Sequence, residues 1–373
     1  MRLKLLFIGL ILFSSKAFST EEELKMLIEK QAKVIKELEE RIKKIEENTV
    51  ISLDKKLYLS SNNKNLVVDS LNLQVINGLN STESINGLGN IILGYNEDDI
   101  TEARYSSFCT FGEYKNKLDC ESNGYIWGKD VHKTGSHNLV IGPRNTYTRH
   151  SSIISGKENA VTYEFSAVFA GYENIGSGKY SFIGGGTYNK ASGYYSAIVG
   201  GVSNEALNNY SAVLGGQDNK ASGHDSTIVG GMENDSSGFN STIVGGAFNT
   251  ADGKWALVAG GLNNSTSSDY SGIFGGSSNK IKGSHSAVIS GGRTNHIDGD
   301  DYNAIFGGLG NSASGTYTTI LGGYKNVIKG KASTITGGSL NQGSGNYTSL
   351  SGGKERRVYG ENSWVAGSLF EEN

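Results

Sequence analysis

Apolar and polar positions recur along most of the chain in a unit of fifteen residues. Each unit reads Ser, small, aliphatic, apolar, Gly, Gly, two variable residues, Asn, variable, small or aliphatic, variable, Gly, variable, aromatic. The third position is Ile, Val or Leu in all fifteen units, which predicts a short strand with that residue facing a continuous core. One interval, from 286 to 303, takes seventeen residues, and the predicted unit starts are Ser151, Ser166, Ser181, Ser196, Ser211, Ser226, Ser241, Ala256, Ser271, Ser286, Asn303, Thr318, Ser333, Thr348 and Ser363.

The ninth position is Asn in thirteen consecutive units, from Asn159 to Asn341. Stacked coils bring equivalent residues within one strand spacing, about 4.8 Å, so each amide can bond its neighbours and the turn backbone as a ladder. The Gly pair is expected where a Cβ atom would clash or φ must be positive. The pattern predicts an all-β, parallel β-roll or solenoid of about 14–15 coils, with a ladder that includes Asn189, Asn204, Asn219, Asn234 and Asn249.

The fourth position is also apolar in most units, although it should point away from the third. Apolar side chains on both faces of a strand indicate that both faces are covered. One face closes the coil, and the other is expected to meet a partner chain. The residues at this position are Phe169, Val199, Leu214, Val229, Val244, Phe274, Ile289, Phe306 and Leu321.

The N-terminal segment predicts export followed by a helical stem. Basic residues, a short apolar run and small residues over 1–19 are typical of a signal peptide, which places the mature chain at the cell surface or outside the cell. Residues 20–49 are rich in Glu and Lys, and their heptad spacing predicts a coiled coil, with a lone amphipathic helix as the alternative. Mixed Ile and Leu favour three strands, hence a homotrimer, with a seam of Leu24, Ile28, Gln31, Ile35, Leu38, Ile42 and Ile45.

An insertion interrupts the repeat near its start. Residues 50–96 form a β-rich transition that ends in a first coil, and GLGNIILGYN at 87–96 is similar to GSHNLVIGPRN at 135–145. The insertion therefore covers 97–135, and head repeats fill 136–373. Cys109 and Cys120 lie in the insertion and are expected to form a disulfide in an exported chain.

Composition excludes several classes of protein. The chain has 53 Gly and one Pro in 373 residues, which fits a periodic fold rather than ordinary globular packing. A net charge of −3 offers no basic surface for nucleic acid. Beyond the signal, no stretch approaches the ~20 apolar residues of a membrane helix.

Candidate catalytic and metal-binding residues are sparse. The six histidines are scattered, and His224 and His285 fall at variable turn positions where we expect them to be solvated. No repeated Ser has a repeated His or acidic partner, so neither an enzyme nor a cofactor is expected. Asp298, Asp300 and Asp301 alternate in a Gly turn, where a solvated acidic bulge is favoured over a Ca²⁺ site.

Two regions are candidates for ligand binding. One is the insertion, with Tyr114 beside Glu113, and with Tyr125 and Trp127. The other is the fifteenth position, where rings would stack into a ribbon along one edge, either to cover the turn or as a platform for sugars or a protein. Its nine aromatic members are Phe165, Tyr180, Tyr195, Tyr210, Trp255, Tyr270, Tyr302, Tyr317 and Tyr347.

The repeat SAIVGGVSNEALNNY, continued as SAVLGGQDNKASGHD, resembles the head repeats of trimeric autotransporter adhesins of the YadA type. The resemblance covers about residues 137–368 and implies a left-handed parallel β-roll, three chains around one axis, and a head that binds host surface molecules. The fifteen-residue unit and its Asn depart from that family, and so does the coiled coil placed before the roll. With no C-terminal stalk or four-strand anchor in the pattern, a fibre tip attached through another component is expected.

Together these features predict an exported, trimeric, adhesin-like head that binds a cell-surface glycan or protein through loops on a rigid β-roll. Two alternatives stay open. One is an ice- or solute-binding solenoid that acts through a flat face, and the other is a purely structural fibre component. A regular ice-binding array is disfavoured because Thr fills the second position in only four units, at Thr227, Thr242, Thr319 and Thr334.

Overall fold

A computed structural model of the chain describes residues 21–46, 57–59, 66–68, 72–97, 107–283 and 285–366. The chain divides into two units, Met1–Gln74 and Val75–Asn373, and each is described by itself. The expected signal peptide at 1–19 lies outside the described residues. So do residues 98–106, at the start of the insertion.

The first unit contains helix α1 (Glu21–Glu46) and one antiparallel pair of strands, Leu57–Leu59 with Leu66–Val68. Acidic residues fill the first turn of α1, where they complement the positive end of the helix dipole. The helix of the predicted stem is therefore present. Its apolar seam lies at the surface of the single chain, with exposed fractions of 38–51% for Ile28, Ile35, Leu38 and Ile42.

The second unit is a parallel β-solenoid, in which each strand pairs with the equivalent strands of the coils before and after it. Sheet I, made by the first strand of each coil, has seventeen strands in the described residues: Ile91–Leu93, Leu139–Ile141, Ile153–Ser155, Ala167–Val168, Phe182–Ile183, Ala197–Ile198, Ala212–Val213, Thr227–Ile228, Thr242–Ile243, Leu257–Val258, Gly272–Ile273, Val288–Ile289, Ala304–Ile305, Thr319–Ile320, Thr334–Ile335, Ser349–Leu350 and Trp364–Val365.

Sheet II, made by the second strand of each coil, has fifteen strands within the same described ranges: Thr146–Tyr147, Ala160–Val161, Ile175–Gly176, Lys190–Ala191, Glu205–Ala206, Lys220–Ala221, Asp235–Ser236, Thr250–Ala251, Ser265–Thr266, Lys280–Lys282, His296–Asp298, Ser312–Ala313, Val327–Ile328, Gln342–Gly343 and Arg357–Val358. In sheet I, Ile91–Leu93 pairs in register with Leu139–Ile141. This pairing confirms that the insertion interrupts a single architecture.

The core of the solenoid is a single file of side chains from each sheet. In the coil that starts at Ser196, Ile198 of sheet I and Ala206 of sheet II are both fully buried. Their strand neighbours Ala197 and Glu205 alternate to the outer surface, as the period of two requires. A single coil buries too little apolar surface to fold alone, so stability comes from stacking on the coils above and below.

Strand pairing corrects the predicted register at two coils. Ile154, rather than Ile153, is the fully buried partner of Val168, so that coil starts at Ser152 and spans fourteen residues, 152–165. Ile289, rather than Val288, pairs with Ile273 and is fully buried, so the predicted place of Ile289 on the outer face is wrong. The predicted seventeen-residue interval is also wrong.

Two neighbouring coils, 271–286 and 287–302, instead take sixteen residues each. Their extra residues sit together in the second turn, next to the paired strands Lys280–Lys282 and His296–Asp298. Pairing and burial fix the position of each strand, and the turns absorb the difference in length.

The predicted Asn ladder is present, and Asn204 shows its bonds. Its Nδ2 donates to the carbonyl of Gly200 at 3.0 Å in its own turn and to the carbonyl of Gly216 at 2.9 Å in the next coil. Its Oδ1 accepts the backbone N–H of Asn219 at 3.1 Å, while its own N–H bonds Oδ1 of Asn189 at 3.0 Å. All thirteen predicted members are at most 1% exposed. Each side chain therefore closes its own turn and couples it to the next coil.

The two glycines of the repeated pair have different roles. Gly201 has a φ of 95°, and a Cβ atom there would lie 2.2 Å from the carbonyl oxygen of Gly216 and 2.5 Å from Nδ2 of Asn204. At Gly200, a Cβ atom would meet nothing within 4 Å. Ala170 holds the equivalent place in another coil. In this coil, only the second glycine of the pair is required by the backbone.

Two further positions adopt the left-handed conformation in most coils without being glycine. The residue before the ladder Asn is one, as at Ser203 with a φ of 55°. The fifteenth position is the other, as at Tyr195 with a φ of 56° and Trp255 with 53°. L-residues pay about 1–2 kcal/mol for this conformation, so these turns are held by stacking between coils rather than by local preference.

The two outer surfaces of the solenoid differ in charge. In the described coils from 152 to 366, the second and fourth positions of sheet I carry no charged residue. Sheet II alternates Lys190, Glu205, Lys220 and Asp235 at its outward position. The Thr residues of sheet I pair only two by two, so its flat face has no continuous Thr array. Residues with exposed fractions of 42–56% on sheet I are Phe169, Val199, Leu214, Val229, Val244, Phe274, Phe306 and Leu321.

Candidate functional site

The fifteenth-position rings stack face to face along one edge of the solenoid. Tyr180 lies 4.7 Å from Tyr195, and Tyr195 lies 5.3 Å from Tyr210, with interplanar angles of 9° and 11°. Trp255 and Tyr270 stack in the same way, 4.9 Å apart at 8°. These distances follow from the strand spacing, because equivalent side chains repeat once per coil.

Two residues of the fourteenth position carry the stack across coils where the fifteenth is not aromatic. His224 lies 5.6 Å from Tyr210 and 5.4 Å from Phe239, and Phe239 lies 5.5 Å from Trp255. The resulting row, here called the aromatic ribbon, has nine rings: His150, Phe165, Tyr180, Tyr195, Tyr210, His224, Phe239, Trp255 and Tyr270.

The ribbon revises the sequence interpretation of the histidines. His224 is a member of the ribbon, bonded through Nδ1 to Asp225 at 2.6 Å, rather than a freely solvated turn residue. His150 is 7% exposed, and burial lowers its pKa. The sequence offered one signal for the ribbon: in the two coils of the ribbon whose fifteenth residue is not aromatic, the fourteenth is His224 or Phe239. Tyr317 stacks only on Tyr302, at 5.1 Å, beyond the end of the ribbon.

Stacking determines what the ribbon can offer a ligand. Tyr180 and Tyr195 cover each other's faces, so they present ring edges to the solvent. Tyr194, at position fourteen, stands at 87° to Tyr180 and 82° to Tyr195. No parallel ring covers Tyr194, which is 37% exposed. Tyr194 is therefore better placed than the stacked rings to offer a face.

The insertion docks on the same edge of the solenoid through an aromatic cluster. Phe111 contacts Tyr163 of the solenoid at 5.1 Å, and the guanidinium of Arg149 lies 3.8 Å from the centre of the Phe111 ring. Tyr114 and Tyr125, two of the predicted ligand-binding residues, contact Phe111 at 5.7 and 5.1 Å. Both therefore help to attach the insertion, by packing its body against the early coils.

A disulfide fixes the fold of the insertion. Cys109 and Cys120 are bonded, as predicted, and both are at most 2% exposed. Cys109 pairs with Trp127 in a short antiparallel ladder, and Cys120 lies on helix α2 (Lys117–Ser122), capped by Asn116. Trp127, a predicted site residue, is half-buried and lines a cavity of about 10 Å³ between the insertion and the solenoid, which is too small for a ligand.

A groove of about 240 Å³ opens where the insertion meets the edge of the ribbon. The insertion forms one wall, and four successive coils of the solenoid contribute the rest of the lining. The two candidate regions from the sequence, the insertion and the aromatic edge, therefore meet in space. Most of the groove residues precede or neighbour the predicted ligand-binding residues in the sequence. The lining residues are Glu113, Lys115, Tyr163, Gly178, Lys179, Ser192, Tyr194 and Asn209.

Charged groups of the groove are held in fixed contacts. Nζ of Lys115 donates to the carbonyl of Gly112 and, at 2.9 Å, to that of Ser177 on the solenoid. The side chain is exposed along its length, but burial of its ammonium group lowers the pKa of Lys115 to about 8. Tyr163 donates its hydroxyl to Glu113 at 2.7 Å.

Burial, and then the bond to Glu113, raise the pKa of Tyr163 above its usual value. Lys179 pairs with Glu164 at 2.9 Å, which also raises the pKa of that lysine. Around the groove, two ammonium groups therefore face two carboxylates. Hydrogen bonds and ion pairs to the solenoid hold these groups in place.

The three aspartates of the acidic turn each contact a different side chain. Asp298 lies 4.0 Å from His296, Asp300 accepts from the hydroxyl of Thr316, and Asp301 accepts from His285 at 3.1 Å. Across the described ranges, no three His, Cys, Asp or Glu side chains are placed to hold one metal ion.

Comparison with protein-family models and with curated proteins finds no match to this chain. The resemblance of the repeat to adhesin heads therefore rests on the repeat and on the parallel solenoid alone. In the part of the chain that the structure describes, no helix has both the length and the apolar character needed to cross a bilayer.

Proposed function

We propose that this protein is an exported, adhesin-like binding protein in which a rigid β-solenoid presents a ligand groove beside an inserted loop. The observation that carries the proposal is the groove itself. It lies where a disulfide-fixed insertion abuts an exposed edge of the ribbon. Concave sites with aromatic walls and a few placed polar groups are the usual form of small-ligand sites. The ligand is expected to be a cell-surface or extracellular molecule.

Rigidity favours binding over catalysis as the role of this fold. The Asn ladder fixes each coil to the next, and loops carried on such a scaffold are a common place for recognition. The groove walls carry no Ser or Cys paired with a His, as nucleophilic catalysis would need. The groove is also small relative to the ~300–1,000 Å³ of a drug-sized ligand site, which suits one or two units of a larger ligand.

Self-association into a homotrimer is part of the proposal. The outer face of sheet I is free of charge and apolar over many coils, and exposed apolar patches of this kind mark interaction surfaces. The exposed seam of α1 supplies a second apolar surface, with a composition that favours three strands. The groove lies on the edge formed by the second turns, away from the outer face of sheet I.

Deletion of the insertion tests the binding site. Residues 97–135 would be replaced by a short Gly-Ser linker in the full chain, and binding to cells and to extracellular-matrix glycans and proteins would be measured. We expect binding to be lost while the far-UV circular dichroism of the β-sheet is retained. Asp300→Ala, in the remote widened turn, is the control. Retained binding in the deletion variant would contradict the proposed site.

Light scattering tests the oligomeric state. We expect a mass of three chains, reduced by Val229→Glu on the outer face of sheet I, because a charge there would be buried against a partner. Ser265→Glu places the same charge on the outward face of sheet II and should leave the mass unchanged. A monomeric mass for the unaltered chain would refute the trimer.

A further inference from the structure

The charged groups and rings of the groove indicate which class of ligand it binds. This inference rests on the proposed function. Lys115 and Lys179 face Glu113 and Glu164, so the four formal charges cancel. Three of the four are held by contacts to the solenoid: Lys115 by the Ser177 carbonyl, Glu113 by Tyr163, and Lys179 by Glu164. A charged ligand would find no uncompensated partner here.

The polar groups of the groove keep both donors and acceptors available. An ammonium group has three N–H donors, and Lys115 uses two of them on carbonyls of Gly112 and Ser177. Glu113 accepts one bond from Tyr163 and has further lone pairs. Asn209 accepts the N–H of Tyr194 through Oδ1, at 3.1 Å, which leaves its amide N–H groups to donate. Hydroxyl groups both donate and accept, so a ligand rich in hydroxyls matches this mixture.

Tyr194 adds an apolar surface to the same groove. It stands nearly perpendicular to the stacked rings of Tyr180 and Tyr195, so no parallel ring covers it. The C–H groups on one side of a pyranose form an apolar patch of about the size of an aromatic ring. A ring beside hydroxyl-binding groups therefore suits a sugar better than it suits a peptide or a free anion.

We propose that the groove binds one or two residues of an uncharged glycan, with a pyranose face on Tyr194 and its hydroxyls shared among Lys115, Lys179, Glu113 and Asn209. The groove extends over four coils along the solenoid axis. A longer glycan would therefore continue past the edge of the ribbon, toward Tyr210.

The test is a glycan array probed with the full chain, displaying uncharged, sialylated, uronate-containing and sulfated oligosaccharides. We expect binding to uncharged glycans that changes little when the salt concentration is raised about tenfold, since no net charge is neutralised. Selective binding of sialylated, uronate or sulfated glycans, or binding lost with added salt, would overturn the proposal.

Variants separate the groove from other exposed rings. Tyr194→Ala should weaken glycan binding by about tenfold, the effect of removing a central aromatic contact, whereas Tyr194→Phe should retain most of it. Tyr324→Ala removes a ring of similar exposure, 40% against 37% for Tyr194, that lies outside the groove, and is the matched control. Equal affinity of Tyr194→Ala and the unaltered chain would place the glycan elsewhere and refute the assignment.

The array also distinguishes this inference from the broader proposal. A chain that binds cells through the insertion but binds no glycan would overturn the ligand class and leave the binding function intact. A chain that binds neither cells nor any extracellular ligand would contradict the proposed function itself. If Tyr194→Ala fails to fold, Tyr194→Phe and Lys179→Met, each checked by circular dichroism, supply the comparison.

Discussion

The repeated glycine pair gives a matched test of the geometry that holds the coils together. Gly200 and Gly201 are adjacent and have the same side chain, yet only Gly201 has a left-handed backbone and a close neighbour in the next coil. We therefore expect Gly201→Ala to be strongly destabilising and Gly200→Ala to be tolerated. Both variants make the same substitution at adjacent positions. A difference in their stability therefore cannot come from composition, location or secondary-structure preference.

The size of the effect follows from three contributions. An alanine with a φ near 95° costs about 1–2 kcal/mol. Its Cβ atom would overlap the carbonyl oxygen of Gly216 at 2.2 Å, which must move away from Nδ2 of Asn204. Nδ2 of Asn204 keeps its bond to the carbonyl of Gly200, but leaving its other buried N–H without a partner costs about 1–3 kcal/mol more. The backbone strain and the lost hydrogen bond together should therefore lower the free energy of unfolding of Gly201→Ala by about 2–5 kcal/mol.

Gly200→Ala should leave stability unchanged or raise it by about 0.4–1 kcal/mol, because alanine restricts the unfolded chain. Guanidinium unfolding followed by far-UV circular dichroism would measure both variants, with midpoints compared at equal m-values. Hydrogen exchange at the amides of Asn204 and Asn219 would show whether the loss is local to the ladder. Equal destabilisation by the two variants would refute the assignment of the strain to the second glycine.

Three further predictions concern other parts of the molecule. Leu340→Asn should raise the unfolding free energy by about 1 kcal/mol, since Leu340 has a φ of 59° and Asn tolerates this conformation; an unchanged thermal midpoint would contradict it. The paired change Cys109→Ser and Cys120→Ser should expose the insertion to proteolysis and weaken ligand binding while the solenoid keeps its circular dichroism; equal protease resistance would show that the disulfide is dispensable. Ligand affinity should fall as the pH rises through about 8, where Lys115 loses its charge, and Lys115→Met should abolish that dependence. The same lowered pKa means that the folded state releases its proton before the unfolded state does, so the stability of the insertion should rise between about pH 8 and 10.5.

The repeat made most of the solenoid predictable. The hydrogen bonds of a repeated Asn and the burial of a repeated aliphatic side chain both require that equivalent residues stack. Asn204 and Ile198 occupy the expected positions. The register of two coils was not predictable, because Ile153 and Ile154 are both suitable for the core. Pairing with Val168 decides between them. Sequence pattern alone cannot choose between neighbouring residues of equal hydrophobicity.

Features that depend on contacts between distant turns also could not be predicted from the sequence. A left-handed backbone at Tyr195 contradicts the local preference of tyrosine and is held by the coils on either side. The groove depends on docking of Phe111 against Tyr163, fifty-two positions apart in the sequence. The sequence pattern indicated the insertion and the aromatic edge as two separate candidate binding regions. Nothing in their spacing along the chain indicated that they lie next to each other. Lys115 and Tyr194 became visible as groove residues only through that docking.

The Asn ladder continues across the insertion as if it were absent. Asn145 donates its N–H to Oδ1 of Asn96 at 2.7 Å, although 49 residues separate them in sequence, and Asn159 then bonds Asn145 in the ordinary way. The insertion lies within a coil, between Asn96 and the segment around Lys133 that pairs with Tyr147, and it leaves the coupling to the next coil intact. Lengthening such a segment adds loop-closure entropy of about 0.6 kcal/mol for each doubling of its length. The turn after Asn96 is for that reason a natural port for grafting foreign loops, and new recognition surfaces can arise there without redesign of the scaffold.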